Sequence, residues 1–287
     1  MLKNQCSSLF TSSPLGISGK KMNLTPQKIA ELELIIPTIA QGLVQAVPGV
    51  EVILRDDIVI LSSHSFPSAD INRAYLFRTT PERTDALIDE VVGFFKSRDL
   101  PTSIMVSPAC RPDDLPQRLE ARGFICQETD EAWMVLEGLQ KVRVPKIDKS
   151  VTVKRVENKA DVETFAEIMT GAYDMPPDWT PFLAQMLEPT VTVPGFAHYV
   201  AFVKGVPAAT LTLMRHGPYA TIGSGGVLPE YRGTRTIYNM AVEVLSEAKR
   251  DGVETVVGQT SLGPKFERYL RIGGFKLAFR RTEYKLA

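Results

Sequence analysis

One pattern occurs twice along this chain, and that repetition restricts its fold more than any other feature. From Phe77 to Leu136 and from Val227 to Leu286 the same landmarks come in the same order. Pro81-Glu82 and Pro229-Glu230 each precede an amphipathic helix, which ends near Asp99 in one copy and near Asp251 in the other. Gly123-Phe124 and Gly274-Phe275 then introduce strands ending at Leu136 and Leu286. Asp99 to Phe124 is 25 steps and Asp251 to Phe275 is 24. Self-similarity at this length marks one supersecondary unit used twice. A chance match between two unrelated α/β segments is the competing reading.

The copies differ in length at one place. Pro81 to Asp99 spans 18 steps and Pro229 to Asp251 spans 22, and the second copy carries Arg-Gly-Thr-Arg in the extra stretch. In the first copy, Thr80 is expected as an N-cap and Pro81 at the first helical position, with no room for a phosphate cradle. The first half is therefore expected to keep the scaffold without a cofactor loop. In the second copy the segment Gly225 to Asp251 runs from an apolar strand through the basic turn into a helix. Ile237, Met240, Ala241, Val244, Leu245 and Ala248 recur at helical spacing, with Gly252 as the stop. The first turn of such a helix leaves backbone N–H groups unpaired at the positive end of its dipole, which favours an anion. An ordinary strand-to-helix connection with two solvated arginines is the alternative.

Beyond that helix the chain reads as a strand at Thr255 to Val257, a polar turn Gln259 to Gly263, a helix Pro264 to Ile272, and Gly274-Phe275 before a closing strand. The order, together with Pro229-Glu230-Tyr231-Arg232-Gly233 and the later QTSLGPKFERYLRIGGFK, resembles the GNAT superfamily of acyl-CoA-dependent N-acetyltransferases. Arg232 takes the first position of that family's pyrophosphate signature, whereas Arg235 and Ile237 stand at its glycine positions. Tyr269 lies one residue farther from Phe275 than in the family's Tyr-x-x-x-Gly-Phe, and Leu270 takes the family's place.

The resemblance implies an α/β fold of the α+β kind: two tandem GNAT-like domains, each a central mixed, mostly antiparallel sheet flanked by helices. Residues 1–22 read as a disordered lead-in, 23–138 as a degenerate GNAT-like domain, 139–150 as a polar linker and 151–287 as the acetyltransferase domain. Within the last, a strand at Val151 to Val156, helices near Asp161 to Tyr173 and Pro181 to Leu187, a hairpin His198 to Val203 with Ala208 to Met214, and a strand Ala220 to Val227 are expected.

Acetyl transfer to an amine needs an anchored pyrophosphate, a polarised carbonyl, a deprotonated amine and a stabilised leaving thiolate. Acetyl-CoA is the implied co-substrate, without a metal. The expected anchors are Arg232, Gly233, Thr234, Arg235, Thr236 and Ile237, with the backbone of Gly226, Val227 and Leu228 beside the carbonyl and pantetheine. Gly223, Gly225 and Gly226 suit a bulge or a close ligand approach, or simply a flexible strand. Tyr269 is the candidate acid by resemblance, or else a core aromatic. The strand Ala220 to Val227 has no carboxylate, so the amine proton would leave through water ordered by Ser224 or Ser261. Tyr173, Asp178 and Trp179 are expected to line the acceptor site.

Equal numbers of acidic and basic residues, 33 each, mark neither a nucleic-acid nor an anionic-membrane binder. The three cysteines lack metal-ligand spacing and fit a reducing cytoplasm, and the three histidines stand alone. The expected partner is a small-molecule or peptide amine; a homodimer is one open arrangement. Two further readings stay open: a degenerate member acting as a binding or interaction module, and a transferase using a carrier other than CoA.

Overall fold

A computed structural model describes residues 22–66, 71–128, 130–142, 150–261 and 263–286. Residues 1–21 of the expected lead-in lie outside the described residues, as does most of the expected linker, while the Met22 amide donates to the Leu277 carbonyl at 3.0 Å.

The first half opens with α1 (Pro26–Glu33) and α2 (Ile35–Ala40), continues through β1 (Val50–Leu54), β2 (Val59–Ser63) and β3 (Arg73–Tyr75), and crosses by α3 (Pro81–Lys96) to β4 (Ser103–Val106). It then adds α4 (Leu115–Ala121), β5 (Phe124–Cys126) and β6 (Glu131–Glu137). The second half runs β7 (Val151–Arg155), α5 (Lys159–Ala172), α6 (Trp179–Leu187), β8 (Phe196–Val203), β9 (Val206–His216), β10 (Tyr219–Val227), α7 (Thr236–Arg250), β11 (Thr255–Thr260), α8 (Pro264–Ile272) and β12 (Lys276–Leu286). In each half antiparallel strands lead into one parallel pair bridged by a helix: β3 with β4 across α3, and β10 with β11 across α7. The repeated landmarks of the sequence thus mark repeated topology.

The helices form where the apolar spacing places them. On α3, Leu87, Ile88, Val91 and Phe95 recur along one side and are all buried. Thr80 occupies the N-cap of α3 with Pro81 behind it, although its hydroxyl makes no capping bond to the helix amides. On α7 the buried stripe is Met240, Val244, Leu245 and Ala248, and Asn158 caps α5 by accepting from the Asp161 amide. Among the described residues no helix is long and apolar enough to cross a membrane.

The two halves exchange strands. The sheet order is β1-β2-β3-β4-β12-β6-β11-β10-β9-β8-β7, with β5 on β12. β6, from the first half, pairs with β11 on one edge and β12 on the other, so it lies within the second half's ladder. β12 continues past that ladder, and Thr282 to Lys285 pair with β4 of the first half. The cores are shared in the same way. Ala132, Met134 and Leu136 of β6 pack with Met240 and Val244 under α7, while Tyr284 of β12 packs with Leu87, Val91 and Phe95 under α3. On the opposite face α1 and α2 cover the seam, where Ile29, Leu32, Ile35 and Ile39 meet Trp133, Val257 and Phe279.

A charged cluster is buried at this seam. Arg281 of β12, 2 % exposed, donates to Glu131 of β6 from Nε at 2.8 Å and also from Nη2, and it lies 3.4 Å from Glu33 of α1. Arg73 of β3 donates to Glu131 at 3.1 Å, Trp133 Nε1 donates to Glu131 at 3.1 Å, and Ser107 donates to Glu33 at 2.6 Å. Burial pushes the Glu33 carboxyl up to about 6 despite the Arg281 charge beside it.

Candidate functional site

The parallel pair β10 and β11 stays in register for four positions, from Tyr219 opposite Thr255 to Ile222 opposite Gly258, and there it ends. β10 runs on to Val227 and β11 to Thr260, so the strands part beyond Ile222. The cause lies in β10 itself. Between Gly223 and Gly226 its register against β9 shifts, and Ser224 sits at φ 49°, a left-handed conformation few L-residues adopt. Thr210 of β9 holds the bulge: its hydroxyl donates to the Ser224 carbonyl at 2.9 Å and accepts from the Gly226 amide at 3.3 Å. Gly226 is required by space, because a Cβ there would come 2.8 Å from Ala172 Cβ. The glycines of this strand therefore build a bulge, as one reading of the sequence expected.

The pleat decides which backbone groups face the opening. The Leu228 amide donates to the Ala208 carbonyl at 3.0 Å, so that residue bonds toward β9, and its neighbour Val227 presents its amide to the open side. Leu228 does not have the expected free backbone. Its carbonyl accepts from the Tyr231 amide at 2.9 Å, and its side chain lies so close to α5 that a Cβ on Gly171 would meet it at 2.8 Å. It is a packing residue.

The basic turn comes next along the chain. Gly233 takes φ +77° with open space around its α-carbon, and Arg235 at φ −84° is the N-cap of α7. A non-glycine residue at 235 thus suits the backbone. The Thr234 amide and hydroxyl both donate to the Tyr231 carbonyl, the hydroxyl also pairs with Thr236, and Thr236 is buried. These two threonines shape the turn. The amides of Gly233, Arg235, Ile237 and Tyr238 make no hydrogen bond among the described residues, and the exposed Arg235 guanidinium has no partner there. Four free donors at the positive end of a fifteen-residue helix make this the place where the backbone field favours negative charge.

Arg232, expected as an anchor, is bonded to the protein itself. It donates from Nη2 to the Ala172 carbonyl at 2.8 Å and from Nε to the Val227 carbonyl at 3.3 Å, tying the carbonyl end of α5 to the end of β10. A cation at a helix C-terminus is favoured by the dipole. Arg232 therefore fixes the frame around the opening, and Arg235 has the uncommitted charge.

Tyr173 closes the far side, donating from its hydroxyl to the Gly225 carbonyl at 3.0 Å. Asp178 is the N-cap residue of α6 without a side-chain capping bond, and Trp179, 40 % exposed, meets Phe182 edge-on. Phe66, from the first half, stacks on Phe182 at 6.0 Å and meets Trp179 edge-on at 6.2 Å. Nothing in the sequence pointed to Phe66 here, nor to Thr210. Tyr269 is not a core aromatic: it is 53 % exposed against Phe266, whereas Leu270 packs on the core under α8. His198 is structural, its ring nitrogens paired with Thr190 and Thr212 at 2.7 and 2.8 Å, and burial lowers its pKa to about 4.

No protein-family model matches the sequence, and comparison with curated proteins gives no match. Solved structures do resemble the fold. A GCN5-related N-acetyltransferase from Kribbella flavida superposes with a TM-score of 0.67 at 17% identity, over 92% of this chain and 96% of that one. A tandem GNAT protein from the clavulanic acid biosynthesis pathway gives 0.61 at 13% identity, over 92% and 95%. A GCN5-related N-acetyltransferase from Sphaerobacter thermophilus gives 0.60 at 15% identity, over 91% and 93%. With the parted parallel strands, the bulge and the helix start already in place, these likenesses establish that the chain has the fold of the GNAT acetyltransferases across both of its halves.

Proposed function

We propose that the second half is an N-acetyltransferase that moves an acetyl group from acetyl-CoA to a primary amine, on a small molecule or a peptide, by direct attack in a ternary complex. One observation carries the reading: the opening between β10 and β11 has a bulged edge on one side and the free amides of α7 at its mouth. The amides of Gly233, Arg235 and Ile237, with the Arg235 guanidinium, would hold the pyrophosphate. The Val227 amide would donate to the thioester oxygen, where charge develops as the amine adds. The C–S bond then breaks, the amine proton passes to water beside Ser224, and the thiolate takes a proton, for which Tyr269 is the candidate donor. Tyr173, Asp178 and Trp179 would line the amine side, with Phe66 extending the aromatic wall.

A second reading, a module that binds CoA without turning it over, draws on the commitment of Arg232 to two carbonyls and the absence of a carboxylate in β10. Thermal shift with acetyl-CoA, followed by a panel of amines with thiol release as the readout, separates the two. Saturation at about 100 Kd stabilises by about 2.7 kcal/mol. At ~2.1 cal/mol/K per residue that raises Tm by ~4–5 °C. Arg235→Ala should reduce the shift. A shift without thiol release from any amine favours the binding module, and no shift at millimolar acetyl-CoA sinks both.

A further inference from the structure

The turn from β3 into α3 occupies, in the first half, the place that the basic turn occupies in the second. It is short, as its sequence suggests, yet a cleft of about 480 Å³ opens beside it, lined by Asp57, Arg78, Thr79, Thr80, Arg83 and Arg111. The room comes from the loop after β4 rather than from the turn. The Arg111 amide donates to the Phe77 carbonyl at 2.7 Å, the Thr79 amide donates to the Arg111 carbonyl at 3.4 Å, and residues 78 and 111 form a parallel bridge. That pairing extends the β3–β4 contact outward and sets two arginines side by side at the rim. Arg83 joins them from the first turn of α3.

The charges in this cleft are unbalanced. Three guanidinium groups line it against one carboxylate, and Asp57 is already shared, accepting from Arg83 at 3.0 Å and from Arg55 at 2.8 Å. Arg78 has a neutral partner, Gln27, at 3.1 Å. Arg111 donates to the carbonyls of Cys110 and Pro108, at 2.6 and 3.3 Å, and its ionic partner, Asp113, is a side chain 90% exposed to solvent. The end of α3 contributes little, because Pro81 has no N–H and the amides of Arg83 and Thr84 already donate to the Thr80 carbonyl. Arg83 is thus ion-paired within the cleft, whereas Arg78 faces only a neutral side chain and Arg111 only backbone carbonyls and a solvent-exposed carboxylate, and their planar forks match phosphoryl oxygens.

We propose that this cleft binds a phosphate-bearing small molecule, with Arg78 and Arg111 gripping the phosphoryl group and Arg83 as a third donor. The cleft is wide open to solvent and has room for more than a lone phosphate. The bridge at Arg78 and Arg111 keeps β3 and β4 joined where β10 and β11 have parted, so the ligand lies outside the strands. The first half then serves as a binding unit for a phosphorylated effector or substrate portion, separate from acetyl transfer.

The test is calorimetric titration at low salt with inorganic phosphate, inorganic pyrophosphate and glycerol 3-phosphate, on the full chain carrying Arg235→Ala so that the second half contributes little. Saturable binding is expected, weakened about tenfold or more by Arg78→Gln and further by Arg78→Gln/Arg111→Gln, since charge-assisted bonds to phosphate are lost. Tighter binding of glycerol 3-phosphate than of either inorganic ion would identify an organic phosphate as the ligand class; the reverse order would overturn the organic part of the proposal. Because the Arg78 side chain bonds only to Gln27 among the described residues, the single variant should fold, and an unchanged Tm verifies it. No saturable binding up to about 10 mM, or an affinity that Arg78→Gln changes by less than about twofold, overturns the site.

Discussion

Replacing Arg281 by Met removes the one cation among the described residues that touches both buried carboxylates at the seam. In the native chain Glu131 is held by Arg281 and by Arg73 at 3.1 Å, while Glu33, fully buried, has Arg281 at 3.4 Å and the Ser107 hydroxyl at 2.6 Å. Without Arg281, Glu33 has no cation in contact among the described residues, and Glu131 keeps only Arg73. Removing one partner of a buried ion pair costs about 3–5 kcal/mol, because the remaining charge stays desolvated and uncompensated. For 287 residues, unfolding entropy near 2.1 cal/mol/K per residue gives ~0.6 kcal/mol/K, so a loss of ~4 kcal/mol lowers Tm by ~7 °C. Urea denaturation monitored by far-UV circular dichroism at pH 8 measures the loss directly, and calorimetry checks the shift. Arg281→Met/Glu33→Gln should recover much of the loss, since Glu131 keeps Arg73 and the double variant no longer buries a carboxylate without a cation. A single variant within about 1 kcal/mol of the parent would refute the claim that the charges hold the seam.

Two buried groups act oppositely on the pH dependence of stability. Glu33, raised from 4.5 to about 6, binds more protons in the folded state between those values, so its contribution falls by about 2 kcal/mol as pH rises across that window, and Glu33→Gln should remove the decline. His198, lowered from 6.5 to about 4, binds more protons when unfolded; its contribution is complete above 6.5 and is lost as pH falls toward 4, and denaturation of His198→Gln at a series of pH values should show that limb flattened. Gly226→Val should cost about 1–3 kcal/mol by overpacking against Ala172 and Thr210, and should lower any acetyl transfer by disturbing the bulge; unchanged stability by urea denaturation would contradict the packing argument. A fragment ending at residue 138 should lack cooperative unfolding by calorimetry, since β6 would have lost β11 and β12 together and β4 would have lost β12.

Much of the local architecture was legible from spacing. The apolar period of Ile237 to Ala248 is α7, the Lys204-Gly205 turn joins β8 to β9, and three glycines within four residues are the bulge of β10. The unpaired amides at the helix start near Arg235 were legible because any helix N-terminus leaves such donors. Which donors remain free was not. Thr234 and Thr236 spend theirs on the turn, Leu228 on the ladder and Arg232 on α5, and each partner is set by how elements meet in space. Tyr269 and Leu270 show the same limit: one residue of offset on α8 decides which of them reaches the core.

The sequence by itself determined that one α/β unit occurs twice, and that one copy has a basic, glycine-led turn ahead of a helix. Helix period, turn chemistry and landmark order are local properties, written within a few residues of where they act. Only the tertiary structure decided that β6 and β12 cross between the halves, and that Glu33, Arg73, Glu131 and Arg281 meet beneath α1. Strand pairing is read from alternation that many partners satisfy equally, so the choice among them rests on which arrangement buries the apolar faces and pairs the charges of segments more than a hundred residues apart.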